Sequence, residues 1–148
     1  FIEIKSIDDS HLDLIFNLNK NLVDKYENIL EIQYDKVLNW IRNNINDNAK
    51  YFNAIYYKKE LAGFFSFSKT NLGYEIDSLF VFDKFQNLGI GTFIIKHCLN
   101  SVDCEVFLYV FKQNKAFNLY KKLGFKIIKE INKNRYLMIN ENKLSKNK

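Results

Sequence analysis

At 148 residues the chain has room for one domain with a buried core and is short for two. Hydrophobic residues make up 47% and charged residues 26%, which excludes a disordered chain, and the longest apolar runs fall well short of the ~20 residues a membrane span needs. The +5 charge is carried by scattered lysines, with Arg42 and Arg135 the only arginines, so it reads as a solvated surface before it reads as a nucleic-acid footprint.

Residues 1–7 alternate apolar and polar, with Ile2, Ile4 and Ile7 as the apolar set, and predict a first strand. Asp8, Asp9 and Ser10 then offer helix caps before Leu12, Ile15, Phe16 and Leu18, which recur at helical spacing. Residues 19–31 are ambiguous between a continuing helix and a loop over a pocket. Residues 34–45, with Val37, Leu38, Trp40, Ile41 and Ile45, predict a second helix. From residue 51 the period turns strand-like: 51–57, 61–68 and 74–82 are separated by the short turns at Lys58-Lys59-Glu60 and Thr70-Asn71-Leu72-Gly73, which makes an antiparallel meander. A helix over about 89–102 follows, then 105–111, almost wholly apolar and expected to be a central strand buried on both faces. Strand, helix and strand here predict a parallel pair. Asn114 can cap a last helix with Ala116, Leu119, Tyr120 and Leu123 on its apolar side, and Gly124 stands where a helix ends. Residues 125–131 and 135–139 form a closing hairpin. No proline marks a linker, so residues 1–140 read as one α+β (or α/β) domain and 141–148 as a polar tail, expected to be disordered.

Cys98 and Cys104 have no His or Cys partners at ligand spacing, so neither a disulfide scaffold nor a metal site is expected. The opening Phe1-Ile2-Glu3-Ile4 lacks the pattern of a signal peptide, and the expected setting is the reduced cytoplasm. His11 and His97 are isolated and read as surface residues; Cys98 falls on the apolar side of its helix and reads as core.

The chemistry concentrates in Gln86-Asn87-Leu88-Gly89-Ile90-Gly91, a glycine-bearing turn between a strand and a helix start. Backbone N–H groups at such a place lack internal partners and suit an anion. A dinucleotide fold would want a third glycine, but position 94 is Ile; a phosphate-loop NTPase would want Gly-Lys-Ser/Thr, and Ile90-Gly91-Thr92 has no lysine. Packing alone is the remaining plain reading of the two glycines.

That turn resembles the Gln/Arg-x-x-Gly-x-Gly/Ala signature of the GNAT superfamily of N-acetyltransferases, and Ile76-Asp77-Ser78-Leu79-Phe80-Val81 before it looks like the family's fourth strand. The segment from Asn114 to Phe125 is similar to its second hallmark, Asn-x-x-Ala-x-x-x-Tyr-x-x-x-Gly-Phe, and the element order matches along essentially the whole chain. The resemblance implies a GNAT-like, mostly antiparallel sheet of about seven strands with four helices and splayed central parallel strands. It implies acetyl-coenzyme A as co-substrate. The pyrophosphate would lie on the backbone of Gln86, Asn87, Leu88, Gly89, Ile90, Gly91 and Thr92, with Gln86 adding a side-chain donor and the glycines keeping Cβ atoms out of the way. The pantetheine arm would bond the edge of the fourth strand at Leu79, Phe80 and Val81, at a bulge, and Asn114 would contact the cofactor.

Acetyl transfer to an amine needs a neutral amine, a donor for the oxyanion and an acid for the leaving thiolate. By resemblance the oxyanion donor is a backbone N–H near Phe80 or Val81, and the acid is Tyr120, whose plain reading is core packing. Glu75 is the candidate base, acting through water, with Asp77 two residues on and on the same face. The acceptor pocket falls to residues 19–41 and the ends of the later strands, and Tyr26, Glu27, Glu31 and Tyr34 suit a cationic amine; Trp40 is expected more in the core than in the pocket. The expected reaction is acetylation of a primary amine by direct attack in a ternary complex, of a small molecule before a protein N-terminus or lysine. A non-catalytic acyl-coenzyme A module and a basic nucleic-acid binder are the competing classes, and a homodimer stays open.

Overall fold

The hydrophobic periods mature into the elements they predict, in the same order. In the structure, a computed structural model that describes residues 1–142, these are β1 (Ile2–Ser6), α1 (Leu12–Tyr26), α2 (Tyr34–Asp47), β2 (Phe52–Tyr57), β3 (Glu60–Thr70), β4 (Gly73–Val81), α3 (Ile90–Asn100), β5 (Val106–Phe111), α4 (Ala116–Lys122), β6 (Lys126–Asn132) and β7 (Arg135–Asn140). The expected tail lies outside the described residues from 143 onward. Asn142 belongs to the fold: its side-chain amide donates to the carbonyls of Leu99 and Val102 at 2.9 Å and of Cys104 at 3.2 Å, closing the C-terminal end of α3. The ambiguous stretch after residue 19 resolves as helix to Tyr26, because Val23 extends the buried stripe begun by Ile15. Beyond it Asn28 accepts the Leu30 N–H at 3.1 Å and holds a short 3-10 turn, Ile29–Glu31.

The seven strands form one sheet in the order β1-β2-β3-β4-β5-β7-β6. All pairings are antiparallel except β4 with β5. The hairpin β6–β7 enters with its second strand against β5, a placement that periodicity does not specify. One face packs under α3 and α4, around Ile76, Ile94, Ile95, Leu108, Phe125 and Met138; the other packs Ile15, Ile45, Phe52, Ala54 and Phe64 against α1 and α2. Among the described residues no helix is long and apolar enough to cross a membrane.

Two irregularities in β4 shape the site. The parallel pairing with β5 consists of Tyr74↔Val106 and Glu75↔Phe107 and stops there, so β4 beyond Glu75 runs on without its neighbour. On the other edge the register against β3 slips between Ser66↔Ser78 and Phe67↔Ile76, leaving Asp77 as the extra residue of a β-bulge. The bulge resets the alternation: Glu75, Asp77 and Phe80 face the α1–α2 side, while Ile76, Leu79 and Val81 pack under α3. Gly63 of β3 admits this course, because a Cβ there would stand 1.9 Å from the Phe80 carbonyl oxygen.

Candidate active site

Where β4 and β5 part, a cleft of about 1000 Å³ opens, roofed by α1 and α2 and reaching across β5 to β7. Its floor carries Glu75, Asp77, Ser78 and Phe80 from β4 and Tyr109 and Phe111 from β5; Asn114 and Tyr120 line it at the splay. Tyr109 is exposed because it faces this space, so β5 is not buried on both faces as its sequence suggests.

Glu75 occupies the last residue pair before the strands separate. Burial, the nearby Asp77 carboxylate and a hydrogen bond from Glu75 to it together push the Glu75 carboxyl up to about 7. Asp77 is open to solvent within the cleft yet walled by protein, and that desolvation raises its carboxyl too, against the opposing effect of the Glu75 hydrogen bond. Two carboxyls so placed hold a proton between them into the neutral range.

Tyr120 owes its position to the end of α4. Gly124, with φ +97°, donates to the Lys121 carbonyl at 3.1 Å and Phe125 donates to that of Tyr120 at 3.0 Å, the two bonds of a Schellman motif. The apolar contact that completes the motif is Tyr120 on Phe125, with ring centroids 5.8 Å apart. At the other end Asn114 accepts the Ala116 N–H at 3.0 Å, the capping role its sequence position suggests. Tyr120 is 7% exposed, and burial, with a smaller effect from neighbouring Cys98, raises its hydroxyl to about 12. It stays protonated across the physiological range and is a firm hydrogen-bond donor, though a weaker acid than a free tyrosine.

The glycine turn lies outside the cleft lining, at the far end of β4. Asn87 (φ +63°) and Gly89 (φ +79°) take left-handed conformations, and α3 begins at Ile90. Phe93 donates to the Gly89 carbonyl at 3.0 Å, so the N–H groups of Ile90, Gly91 and Thr92 precede the first intrahelical bond. Each glycine also has a reason within the protein itself. Gly89 has nothing within 4 Å of where a Cβ would be and is needed for its φ, whereas a Cβ on Gly91 would meet Leu119 of α4 at 3.1 Å. Gln86 is not a free donor either. Its amide nitrogen donates to the Val81 carbonyl at 3.1 Å and to the Asp83 carboxylate at 3.2 Å, which fastens the turn to the end of β4.

Residues 25–140 match the family model described as "Acetyltransferase (GNAT) domain". The chain belongs to the GNAT acetyltransferase family, the acyl-coenzyme A-dependent N-acetyltransferases. Its fold is shared with solved structures of low identity. The PaiA N-acetyltransferase of Thermoplasma acidophilum, in complex with coenzyme A, is 19% identical over 95% of this chain and 99% of that one, with a TM-score of 0.68. An N-acetyltransferase of Staphylococcus aureus Mu50 is 19% identical over 93% and 99%, with a TM-score of 0.71. Arabidopsis thaliana Naa50, with the bisubstrate analogue CoA-Ac-MVNAL, is 21% identical over 95% and 98%, with a TM-score of 0.64. No curated protein sequence matches the chain.

In this GNAT domain, then, Glu75, Asp77, Leu79, Phe80, Asn114 and Tyr120 come together around one cleft, while Val81 and residues 86–92 stand beyond its end. Trp40 is not in the core: it is 65% exposed and lines the cleft from α2. Its helix presents Ile41 and Ile45 to the sheet, which leaves position 40 to the side. His11 is half-buried rather than on the surface, with its ring 5.4 Å from that of Phe64 and its Nδ1 accepting the Asp8 N–H at 3.1 Å. Cys98 is core, and its thiol is pushed up to about 12 by burial. Sequence reasoning missed Tyr109 and Arg135, which line the cleft from β5 and β7. The signal for Tyr109 was present as the one polar tip in the run of residues 106–111. Arg135 depended on the unpredicted docking of β7. Among the described residues no group of three or more His, Cys, Asp or Glu is placed to hold a metal ion.

Proposed function

We propose that the protein transfers an acetyl group from acetyl-coenzyme A to the primary amine of a small molecule, by direct attack in a ternary complex. The observation that carries the reading is the splay of β4 from β5, which opens a strand edge between a raised carboxyl at Glu75 and a buried tyrosine at Tyr120. A donor with an amide-bearing arm fits that edge: β4 from Ile76 to Val81 has no β5 neighbour, so its outward backbone groups can bond a ligand as a strand would. A pyrophosphate fits the other end of β4, where the N–H groups of Ile90, Gly91 and Thr92 open α3 beyond the left-handed Asn87 and Gly89. Gln86 holds that turn in place and Asn114 stands at the splay.

The donor supplies the activated acyl group. The chain's own residues handle protons and charge. Glu75, in its ionised form and helped by Asp77, takes the proton from the incoming ammonium so that a neutral amine attacks. A backbone N–H at Phe80 or Val81 stabilises the oxyanion. Tyr120 donates a hydrogen bond to the sulfur as it leaves. With a hydroxyl raised to about 12 it does this without giving up its proton outright, and the proton that finally reaches the thiolate comes from the amine by way of solvent or Glu75.

A small acceptor fits the contacts that bridge the two sides of the fold next to the cleft. Lys133, in the β6–β7 turn, pairs with Glu31 of the α1–α2 connection, and Tyr26 stacks on Phe111 with centroids 5.3 Å apart. These contacts tie the α1–α2 side to the β6–β7 turn and to β5 beside the cleft. The free thiols of Cys98 and Cys104 suit a cytoplasmic setting. The test is thiol release from acetyl-coenzyme A with a panel of amines, for the wild type and Tyr120→Phe. Turnover that falls in the variant supports the reading. Binding of acetyl-coenzyme A with no turnover on any amine, peptide N-termini included, would overturn it.

A further inference from the structure

The cleft is charged unevenly along β5. Phe107, Tyr109 and Phe111 alternate onto the α1–α2 side of that strand, while Val106, Leu108 and Val110 belong to the opposite core. At the Phe107 end stands Glu75, its pairing partner, with Asp77 beside it. At the other end Phe111 pairs with Arg135 of β7. The guanidinium of Arg135 lies 6.0 Å from the ring centroids of both Tyr109 and Phe111, and its Nε is buried with no hydrogen-bond partner among the described residues.

The other cations show how unusual this is. Arg42 stacks on Phe16 in the same manner, but its guanidinium is engaged by Asp13 at 2.7 Å. Lys112 and Lys133, flanking Arg135, pair with Glu130 and Glu31. Lys36 also lines the cleft but is exposed, so water can satisfy it. Arg135 is half-buried and forms no ion pair among the described residues; even Glu27, which lines the same cavity, is not within pairing distance. A guanidinium partly removed from water without an anion is costly to hold, and its planar fork matches a carboxylate bidentately.

We infer that Arg135 reads a carboxylate on the acceptor, so that the amine this enzyme acetylates belongs to an amino carboxylate. The inference rests on the acetyltransferase reading for the identity of the amine end. Its ammonium is drawn to Glu75 and Asp77 and its carboxylate to Arg135. The β5 residues opposite these ends, Phe107 and Phe111, are four residues apart, roughly 13 Å along the strand. The two charges of the acceptor are therefore several bonds apart rather than on one carbon.

The experiment compares glycine, 4-aminobutyrate and 6-aminohexanoate with their amides, under saturating acetyl-coenzyme A, for the wild type, Arg135→Gln and Arg135→Lys. The wild type should favour the two longer carboxylates over their amides by at least ~10-fold in kcat/KM, mainly through KM, as expected for a charge-assisted hydrogen bond. That ratio should fall towards one in Arg135→Gln and be partly kept in Arg135→Lys. A wild-type ratio near one, or an unchanged ratio in Arg135→Gln, overturns the inference while leaving the acetyltransferase reading intact. If no amine is turned over, that reading fails, and the same contrast is taken from melting temperatures. The longer amino carboxylates should then stabilise the wild type more than their amides do, and Arg135→Gln should lose the difference; absence of a difference overturns the inference. Should Arg135→Gln not fold, the wild-type ratios decide.

Discussion

The carboxyls of Glu75 and Asp77 share a hydrogen bond across the bulge of β4, at the point where β4 loses its pairing with β5. Asp77 is the extra residue of that bulge and has no partner on β3. A carboxyl that ionises near 7 can take a proton from an ammonium at neutral pH and is not trapped in either state. The wild-type pH profile of kcat/KM should therefore rise with an apparent pKa of about 7. Asp77→Asn removes the like charge that helps raise Glu75, so the rising limb should move to lower pH. A limb that stays where it was in Asp77→Asn would show that the pair does not set the titration.

The same shift has a stability consequence of opposite sense to an ordinary salt-bridged carboxylate. The folded-state value of Glu75, about 7, lies above the 4.5 of the free side chain, so the folded protein holds this proton more tightly than the unfolded chain does. The contribution is fully present below about pH 4.5 and is lost as the pH rises through 7. Glu75→Gln cannot ionise and escapes that loss. Its stability should exceed the wild type's at pH 8, by on the order of 1 kcal/mol, and come close to it at pH 4.5. Thermal denaturation at the two pH values checks it, and an equal offset at both would count against the raised carboxyl.

Much of this fold was legible because its local signals agree with one another. The two-residue alternation of residues 2–6, the short turns of the meander and the Asn114 to Gly124 cap pair each specify an element without help from distant contacts. The turn at 86–91 was legible as a strand-to-helix junction and the helix end at Gly124 as a cap, whereas Tyr120 was singled out by family resemblance alone. What was not legible is what long-range pairing decides. The docking of β7 beside β5 brought Arg135 into the cleft, and nothing near residue 135 in the sequence announces it. Trp40 was misread because its size argues for burial, whereas its position on α2, beside the stripe made by Ile41 and Ile45, argues for the flank. Gln86 carried a family role as an outward donor, whereas in the fold Val81 and Asp83 engage its amide.

Tyr120 is held by packing on Phe125 and not by its hydroxyl, which makes Tyr120→Phe a clean deletion of one donor. The ring, the Schellman motif and the helix end should be unchanged, and the stability should stay within about 0.5 kcal/mol of the wild type, like other well-tolerated substitutions. Turnover should fall by roughly 10- to 100-fold, the worth of a hydrogen bond to a developing charge of about 1.5–3 kcal/mol. KM for acetyl-coenzyme A should move little, since the bond matters most as the sulfur departs. Steady-state kinetics with both substrates varied separate these effects; a loss confined to KM would make Tyr120 a binding residue only.

Trp40 presents a large apolar ring to the cleft while 65% of it remains exposed, an arrangement the core gains little from. An acceptor that covers the ring would gain what the free protein leaves in contact with water. Trp40→Ala should accordingly cost the fold about 0.5 kcal/mol or less, against the 3–5 kcal/mol of a buried tryptophan. The acceptor KM should rise several-fold, because apolar burial and any cation–π contact with the amine are both lost. The KM for acetyl-coenzyme A should hold, since Trp40 sits on α2 and the donor's expected track follows β4 to α3. Denaturation midpoints together with separate KM values for the two substrates test this. A large drop in stability would return Trp40 to the core, and an acceptor KM unchanged by the substitution would place the acceptor away from α2.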